Sequence, residues 1–127
     1  MIKYKLYRFM CKEEFDNTSV DNCFSWNSKA KFFTDDFSFL IKRVKDGKFN
    51  NSKFKPEKYV HLVVYEIVDT HNKLIRVSDK ELMLCRKDAP MVSVVSISKF
   101  DNKQRKEITQ IFIDACVDDV VEELHNS

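Results

Sequence analysis

The stretch IKYKLYRFM, residues 2–10, alternates along its whole length between two sets of side chains. One set holds Ile2, Tyr4, Leu6 and Arg8, and the other holds Lys3, Lys5, Tyr7 and Phe9. A period of two is typical of a β-strand, because successive side chains of a strand point to opposite faces of the sheet. Arg8 is therefore expected on an apolar face, where a guanidinium needs an acidic partner or an anionic ligand.

Further strands are predicted along the chain from Val- and Tyr-rich or alternating segments. KAKFFT (29–34) indicates a second strand, and CKEEFDNT (11–18) indicates a short helix or turn before it. YVHLVVYEIV (59–68) is a strong strand, and KLIRVS (73–78) is its predicted hairpin partner across the turn DTHN. ELMLC (81–85) and MVSVVSIS (91–98) are two more candidates, the second with a less regular alternation.

Two longer helices are predicted. In TDDFSFLIKRVKDG (34–47), Thr34 is the expected N-cap, acids follow in the first turn, and Gly47 marks the end. A last helix is expected from Asn102 to about His125, with its apolar face packed on the sheet. The element order predicts an α+β fold, a mostly antiparallel sheet with a few flanking helices, formed by residues 1–127 as one domain.

Composition narrows the functional classes for these 127 residues. The four cysteines and three histidines are dispersed, so reduced thiols and no metal site are expected. The N-terminal stretch is not a signal peptide, and the chain has no apolar run of about 18 residues that would span a membrane. We therefore expect a cytoplasmic protein that does not bind membranes.

The net charge of +2 is unevenly distributed. Residues 42–58 carry seven basic and two acidic side chains, whereas the residues after Lys106 include six acids and no Lys or Arg. A basic segment attracts phosphates of nucleic acids or nucleotides, although such runs also serve solubility. A protein or nucleic-acid target is therefore an open possibility.

Three motifs resemble those of the ADP-ribosyltransferase-like superfamily, over about residues 4–100. KLYRFM is similar to the family's first strand, which ends in an Arg or His that binds NAD. KFFTDD resembles the second motif, an aromatic strand end with Ser or Thr before a helix. SDKELML looks like the third motif, in which a Glu opens a strand. The chain departs from the family in having a single Thr instead of Ser-Thr-Ser, Asp79 instead of Glu or Gln, and no glycine in the expected pocket.

The resemblance implies NAD as a substrate and assigns a role to each matching residue. Arg8 would bind the pyrophosphate or a ribose of NAD, and Thr34 would position the nicotinamide ribose. Glu81 would stabilise the oxocarbenium-like transition state, and Asp79 would orient or deprotonate the nucleophile. The nicotinamide ring would stack on an aromatic side chain, Trp26 or Phe37. This hypothesis requires Arg8 and Glu81 to share a pocket on neighbouring central strands.

A transferase of this kind would act as a toxin or in phage–host interaction. Two alternative functions are also open. A small Lys-, Asn- and Phe-rich chain is typical of AT-rich bacterial or phage genomes, whose small proteins often act by covering another protein. Such a non-enzymatic binding or inhibitor protein would use the acidic C-terminal helix or the basic 42–58 loop. A nucleic-acid-binding module or nuclease would use the same loop, although no close His–Glu or His–Lys pair supports nuclease chemistry.

Overall fold

The computed structural model describes residues 2–45 and 61–110 and has the predicted α+β class, with two three-stranded antiparallel sheets. Sheet A has the order β1 (Ile2–Met10), β3 (His61–Asp69), β6 (Val92–Phe100). Sheet B has the order β2 (Ala30–Phe33), β5 (Leu82–Cys85), β4 (Ile75–Arg76). The helices are α1 (Lys12–Asn17), α2 (Phe37–Lys45), a 3₁₀ helix (Arg86–Met91) and α3 (102–110).

Within the described residues, one isolated antiparallel bridge joins the backbones of the two sheets, between Tyr7 and Thr34. The amide of Tyr7 donates to the carbonyl of Thr34 at 2.8 Å, and the amide of Thr34 donates to the carbonyl of Tyr7 at 3.0 Å. Thr34 directly follows β2, so the bridge fixes the end of sheet B against the middle of β1.

The main hydrophobic core is formed by one face of sheet A and the inner face of sheet B. Alternation along β1 and β3 places Leu6 and Tyr65 on this face, directly opposite each other in the register. The Tyr65 ring stacks on Phe24 and meets Phe33 edge-on, while its hydroxyl donates to the Cys23 carbonyl at 2.8 Å. The buried members of this core are Leu6, Met10, Phe24, Phe33, Val63, Tyr65, Ile67, Leu74, Leu82, Leu84 and Val92.

The other face of sheet A carries a smaller core beneath α2 and α3. Its buried members are Phe9, Leu40 and Leu62. In α3, the Arg105 guanidinium lies 5.6 Å from the centre of the Phe9 ring. Of the predicted apolar face of the last helix, Ile108 lies among the described residues and borders the same face of sheet A. The remainder of that helix from residue 111, with its acidic residues, lies outside the described residues, as does the basic loop beyond residue 45.

The predicted hairpin between β3 and KLIRVS is wrong, because β4 pairs with β5. Both edges of β3 are already occupied, one by β1 and the other by β6, so no edge is left for a hairpin partner. The buried carboxylate of Asp69 closes the turn after β3 by accepting the amides of His71, Lys73 and Leu74. This turn directs Leu74 into the main core and the chain towards sheet B.

The prediction that Thr34 is the N-cap of the second helix is also wrong. The helix begins at Phe37, and the Asp36 carboxylate caps it by accepting the Ser38 amide at 3.0 Å. The hydroxyl of Thr34 instead accepts the amide of Asp36 at 3.1 Å, while the Thr34 backbone pairs with Tyr7. Asp35 and Asp36 therefore precede the helix and do not occupy its first turn.

The irregular alternation in MVSVVSIS has a structural cause. Ser96 pairs with Glu66, and Val94 pairs with Ile67, so Val95 is an extra residue with no counterpart in β3. A bulge of this kind shifts the side-chain alternation by one position. Val95 is accordingly exposed. Within the described residues, no helix has the length and apolarity needed to span a membrane.

We predict that Asp69→Asn destabilises the protein by about 1–3 kcal/mol, because an amide cannot accept all three backbone N–H groups. Burial favours the neutral acid, but the three backbone hydrogen bonds outweigh it and lower the pKa of Asp69. A lowered folded-state pKa gives stability that is present above the unfolded-state pKa and is lost as pH falls through the folded-state pKa. Urea unfolding of both proteins at several acidic pH values should therefore show the difference shrinking as pH falls. A difference that is constant with pH would contradict this role.

Candidate functional site

Arg8, Glu14 and Lys31 form a buried ion-pair cluster, here called the Glu14 cluster. The Arg8 guanidinium donates to both carboxylate oxygens of Glu14, from Nε at 2.8 Å and from Nη2 at 2.9 Å. The Lys31 ammonium donates to Glu14 Oε2 at 2.6 Å. The Lys31 side chain is fully buried and the Glu14 side chain nearly so. The cluster thus connects β1, α1 and β2 through charged hydrogen bonds.

The electrostatics of this cluster are set by burial and by an excess of positive charge. Burial works to raise the pKa of Glu14, but hydrogen bonds and charge interactions with Arg8 and Lys31 dominate together and lower it. Burial and the neighbouring Arg8 lower the pKa of Lys31 against the opposing effect of Glu14. The Lys31 ammonium also lies 5.9 Å from the centre of the Trp26 ring, a cation–π contact that partly replaces lost hydration.

Arg8 does not fit the NAD-binding role in this arrangement. Its Nε and Nη2 groups bind Glu14, and its Nη1 group donates to the Phe32 carbonyl at 2.9 Å. A pyrophosphate would have to displace the Glu14 carboxylate, which would then be left buried beside the incoming negative charge. The expectation of an acidic partner for Arg8 is confirmed, and that partner belongs to the protein itself.

Thr34, Phe37 and Trp26, which were predicted to contact the nicotinamide ribose or ring, lie in different parts of the structure. Thr34 is buried, and its hydroxyl is bound to Asp36. Phe37 stacks on Tyr7 with ring centres 5.1 Å apart, on the face of sheet A that carries the smaller core. Trp26 packs against the main core and approaches Phe24 at 5.6 Å. The structure therefore does not bring Trp26 and Phe37 to one ring-binding site.

Glu81 and Asp79 belong to the turn between β4 and β5. The Glu81 carbonyl accepts the Val77 amide at 3.0 Å, and the Asp79 carbonyl accepts a hydrogen bond from Arg76 at 3.0 Å. Arg8 lies in sheet A, whereas Glu81 directly precedes β5 of sheet B. Arg8 and Glu81 are therefore not on neighbouring strands, contrary to the prediction. Their catalytic roles stay predictions.

Ion pairs near this turn connect it to the start of α2. Arg76 pairs with Asp35, and the Lys80 ammonium donates to the Asp36 carboxylate at 2.7 Å. Hydrogen bonds from Lys80 and Ser38 lower the pKa of Asp36 to about 2. These exposed pairs hold the β4–β5 turn against the helix cap.

Sequence reasoning missed Glu14 and Lys31, although it required a partner for Arg8. One signal was present for Glu14, which lies in the short predicted helix that directly follows the strand of Arg8. Alternation provided none for Lys31, because Ala30 and Phe32 make the opposite face of this strand the more apolar one.

The outer face of sheet B carries only apolar strand residues and remains accessible to solvent. Phe32 of β2 and Ile75 of β4 both lie opposite Met83 of β5, and they are 48% and 46% exposed. At one end of the face, Ala30 pairs with Cys85. We call this surface, formed by Ala30, Phe32, Ile75, Met83 and Cys85, the outer apolar face.

Three cationic residues border the outer apolar face at its Cys85 end. Lys29, Arg86 and Lys87 line a depression of about 710 Å³ together with Cys85 and Pro90. The Arg86 amide donates to the Lys29 carbonyl at 2.8 Å, which holds the two segments together. Within residues 2–45 and 61–110, none of the three cations forms an ion pair. We call these three residues the basic rim.

In the part of the chain that the structure describes, no group of three or more His, Cys, Asp or Glu side chains is close enough to hold a metal ion. The described cysteines, Cys11, Cys23 and Cys85, are free thiols. Comparison with protein-family models, with curated proteins and with solved structures found no match for this chain.

We predict that Glu14→Gln destabilises the protein by about 3–5 kcal/mol, because it leaves Arg8 and Lys31 buried without a negative partner. Lys31→Met should change stability by less than about 1 kcal/mol, since the bidentate Arg8–Glu14 pair remains and the buried excess charge disappears. Chemical unfolding measures both differences.

The control for this experiment is Glu13→Gln, which changes the preceding, exposed residue in the same helix. It should shift the free energy of unfolding by less than about 0.5 kcal/mol. Equal effects of Glu13→Gln and Glu14→Gln would show that the cluster does not govern stability.

Proposed function

We propose that this protein is a non-enzymatic binding protein whose outer apolar face receives an acidic segment of a partner protein. The observation that supports this is the exposure of Phe32 and Ile75 on a sheet face whose strand residues are all apolar. Contiguous apolar patches that stay exposed on a protein surface often mark sites of interaction with a partner.

The chemistry of the face favours a protein over a nucleic acid. Phe32 is its single aromatic residue, and its neighbours Ile75, Met83 and Cys85 are aliphatic or sulfur-containing. Single-stranded nucleic acids bind through successive bases stacked on several aromatic rings. An apolar centre beside a polar rim is instead the usual plan of a protein interface.

The basic rim specifies the charge of the partner. Lys29, Arg86 and Lys87 stand beside the apolar face without acidic partners among the described residues. Cations at the edge of an interface select an acidic partner and accelerate its association. The partner segment should therefore combine apolar side chains, which cover Phe32 and Met83, with carboxylates that reach the rim.

ADP-ribosyl transfer is the second candidate, and one observation favours it. The β2–β5 register ends at the pair Phe33–Leu82, and the next residues on the two strands are Thr34 and Glu81. Two of the three motif residues thus directly follow the last pair of this register. The engagement of Arg8 by Glu14 makes this candidate weaker than the binding function.

The binding function can be tested with a random peptide library selected on the immobilised protein. Enriched peptides should contain both apolar and acidic residues, because they must match the outer apolar face and the basic rim. For one enriched peptide, Phe32→Ser should weaken binding by about 1–3 kcal/mol, as loss of a central apolar anchor does. The double change Lys29→Glu and Arg86→Glu should weaken binding further and reverse its dependence on salt.

Val20→Ser serves as the matched control, because Val20 is an even more exposed apolar residue and lies outside sheet B. It should leave the affinity unchanged. If the enriched peptides bind Phe32→Ser as tightly as the wild type, the outer apolar face is ruled out as the binding site. Stronger binding of a single-stranded oligonucleotide, lost in Phe32→Ser, would assign the face to nucleic acid instead.

A separate assay distinguishes the second candidate. Incubation with labelled NAD and cell lysate should give no transfer of label if the protein acts by binding. Label transfer that disappears in Glu81→Gln, with stability within about 1 kcal/mol of the wild type, would establish the transferase instead.

A further inference from the structure

A second concave surface lies on the opposite side of the molecule from the Glu14 cluster, on the face of sheet A beneath α2 and α3. It is a cavity of about 260 Å³. Its lining residues come from all three strands of sheet A and from both helices: Lys5, Tyr7, Phe37, Leu62, Val64, Glu66, Ser96, Ser98, Phe100 and Ile108.

Two small residues of β6, Ser96 and Ser98, line the cavity. Ser96 and Ser98 pair with Glu66 and Val64 and share their face of the sheet. On the facing side, Phe37 of α2 is held by its stacking contact with Tyr7, and Ile108 of α3 also borders the space. Among the described residues, apolar side chains of the sheet and of both helices therefore make up most of the cavity lining.

The polar groups of the cavity stand at one side of these apolar walls. Lys5 lies opposite Glu66 in the β1–β3 register, and the Glu66 carboxylate is 4.0 Å from the ammonium of Lys3. Lys5 itself forms no ion pair among the described residues. The hydroxyls of Ser96 and Ser98 add hydrogen-bonding groups at the same strand region.

We propose that this cavity binds a small amphipathic carboxylic acid. Its apolar body would lie between Phe37 and the sheet, and its carboxylate would pair with Lys5. The volume is slightly below the range of about 300–1,000 Å³ that holds drug-sized ligands, so the ligand is small. Glu66 also lines the cavity and is paired with Lys3, so Lys5 is the lining cation left to match one negative charge. This site is independent of the outer apolar face.

Octanoate is a suitable probe, with octan-1-ol as the uncharged comparison. In a titration followed by ¹H–¹⁵N NMR, octanoate should give saturable shifts at Val64, Ser96 and Ser98. Ser98→Phe should lower the affinity at least about tenfold by filling the cavity, as loss of pocket volume removes contacts. Lys5→Gln should weaken octanoate about three- to tenfold and leave octan-1-ol unchanged, because only the acid pairs with the ammonium.

Two matched controls keep the result specific. Ser93→Phe places the same ring on the same strand outside the cavity lining, and Lys29→Gln removes a cation of the basic rim, which is not part of this cavity. Neither change should alter octanoate binding by more than about twofold, since neither residue touches the ligand. The proposal is overturned by the absence of saturable shifts, by equal affinity in Ser98→Phe, or by equal weakening of both probes in Lys5→Gln.

Discussion

The burial of Glu14 between two cations is the constraint on which the rest of the structure depends. Arg8 lies in the strand that starts sheet A, and Lys31 lies in the first strand of sheet B, so both sheets present a positive charge to one interior. The short helix α1, which follows β1 directly, supplies the carboxylate that both cations bind, and one positive charge remains in excess. Such a cluster contributes little net stability compared with an apolar core of the same volume, but removal of one partner is costly. It therefore selects the one arrangement of the two sheets in which β1, α1 and β2 converge.

This arrangement leaves each sheet with one face that the described residues cover incompletely. The inner face of sheet B closes the main core, and its outer face exposes Phe32 and Ile75. The second face of sheet A is covered by α2 and α3, yet Ser96 and Ser98 leave space beneath them. The two surfaces differ in character, because one is an open apolar face beside three cations and the other is a small cavity. A division of this kind is consistent with a protein that binds through separate surfaces.

The same constraint explains why motif positions are a weak guide to the chemistry of this chain. Arg8 occupies the place that the resemblance assigns to an NAD-binding arginine, but its guanidinium binds Glu14 and the Phe32 carbonyl. Thr34 and Glu81 follow the last pair of the β2–β5 register, where Thr34 serves the helix start and the bridge between sheets. Short motifs report residue types at given spacings, whereas the role of a charged side chain depends on which opposite charge folding brings to it.

The sequence by itself determined the strands β1 and β3, the inward position of Arg8 and its need for an acidic partner or an anionic ligand. These follow from alternation, which acts over a few neighbouring residues. The sequence also indicated that the side-chain alternation of β6 is irregular. It did not show that the extra residue Val95 is the cause. Only the tertiary structure decided that Glu14 and Lys31 complete the charge cluster, that β4 pairs with β5, and that Phe32 faces solvent. These features depend on which strands, far apart in the chain, pair with the same strand edge. They also depend on how much charge is buried in total. A local sequence pattern contains neither kind of information.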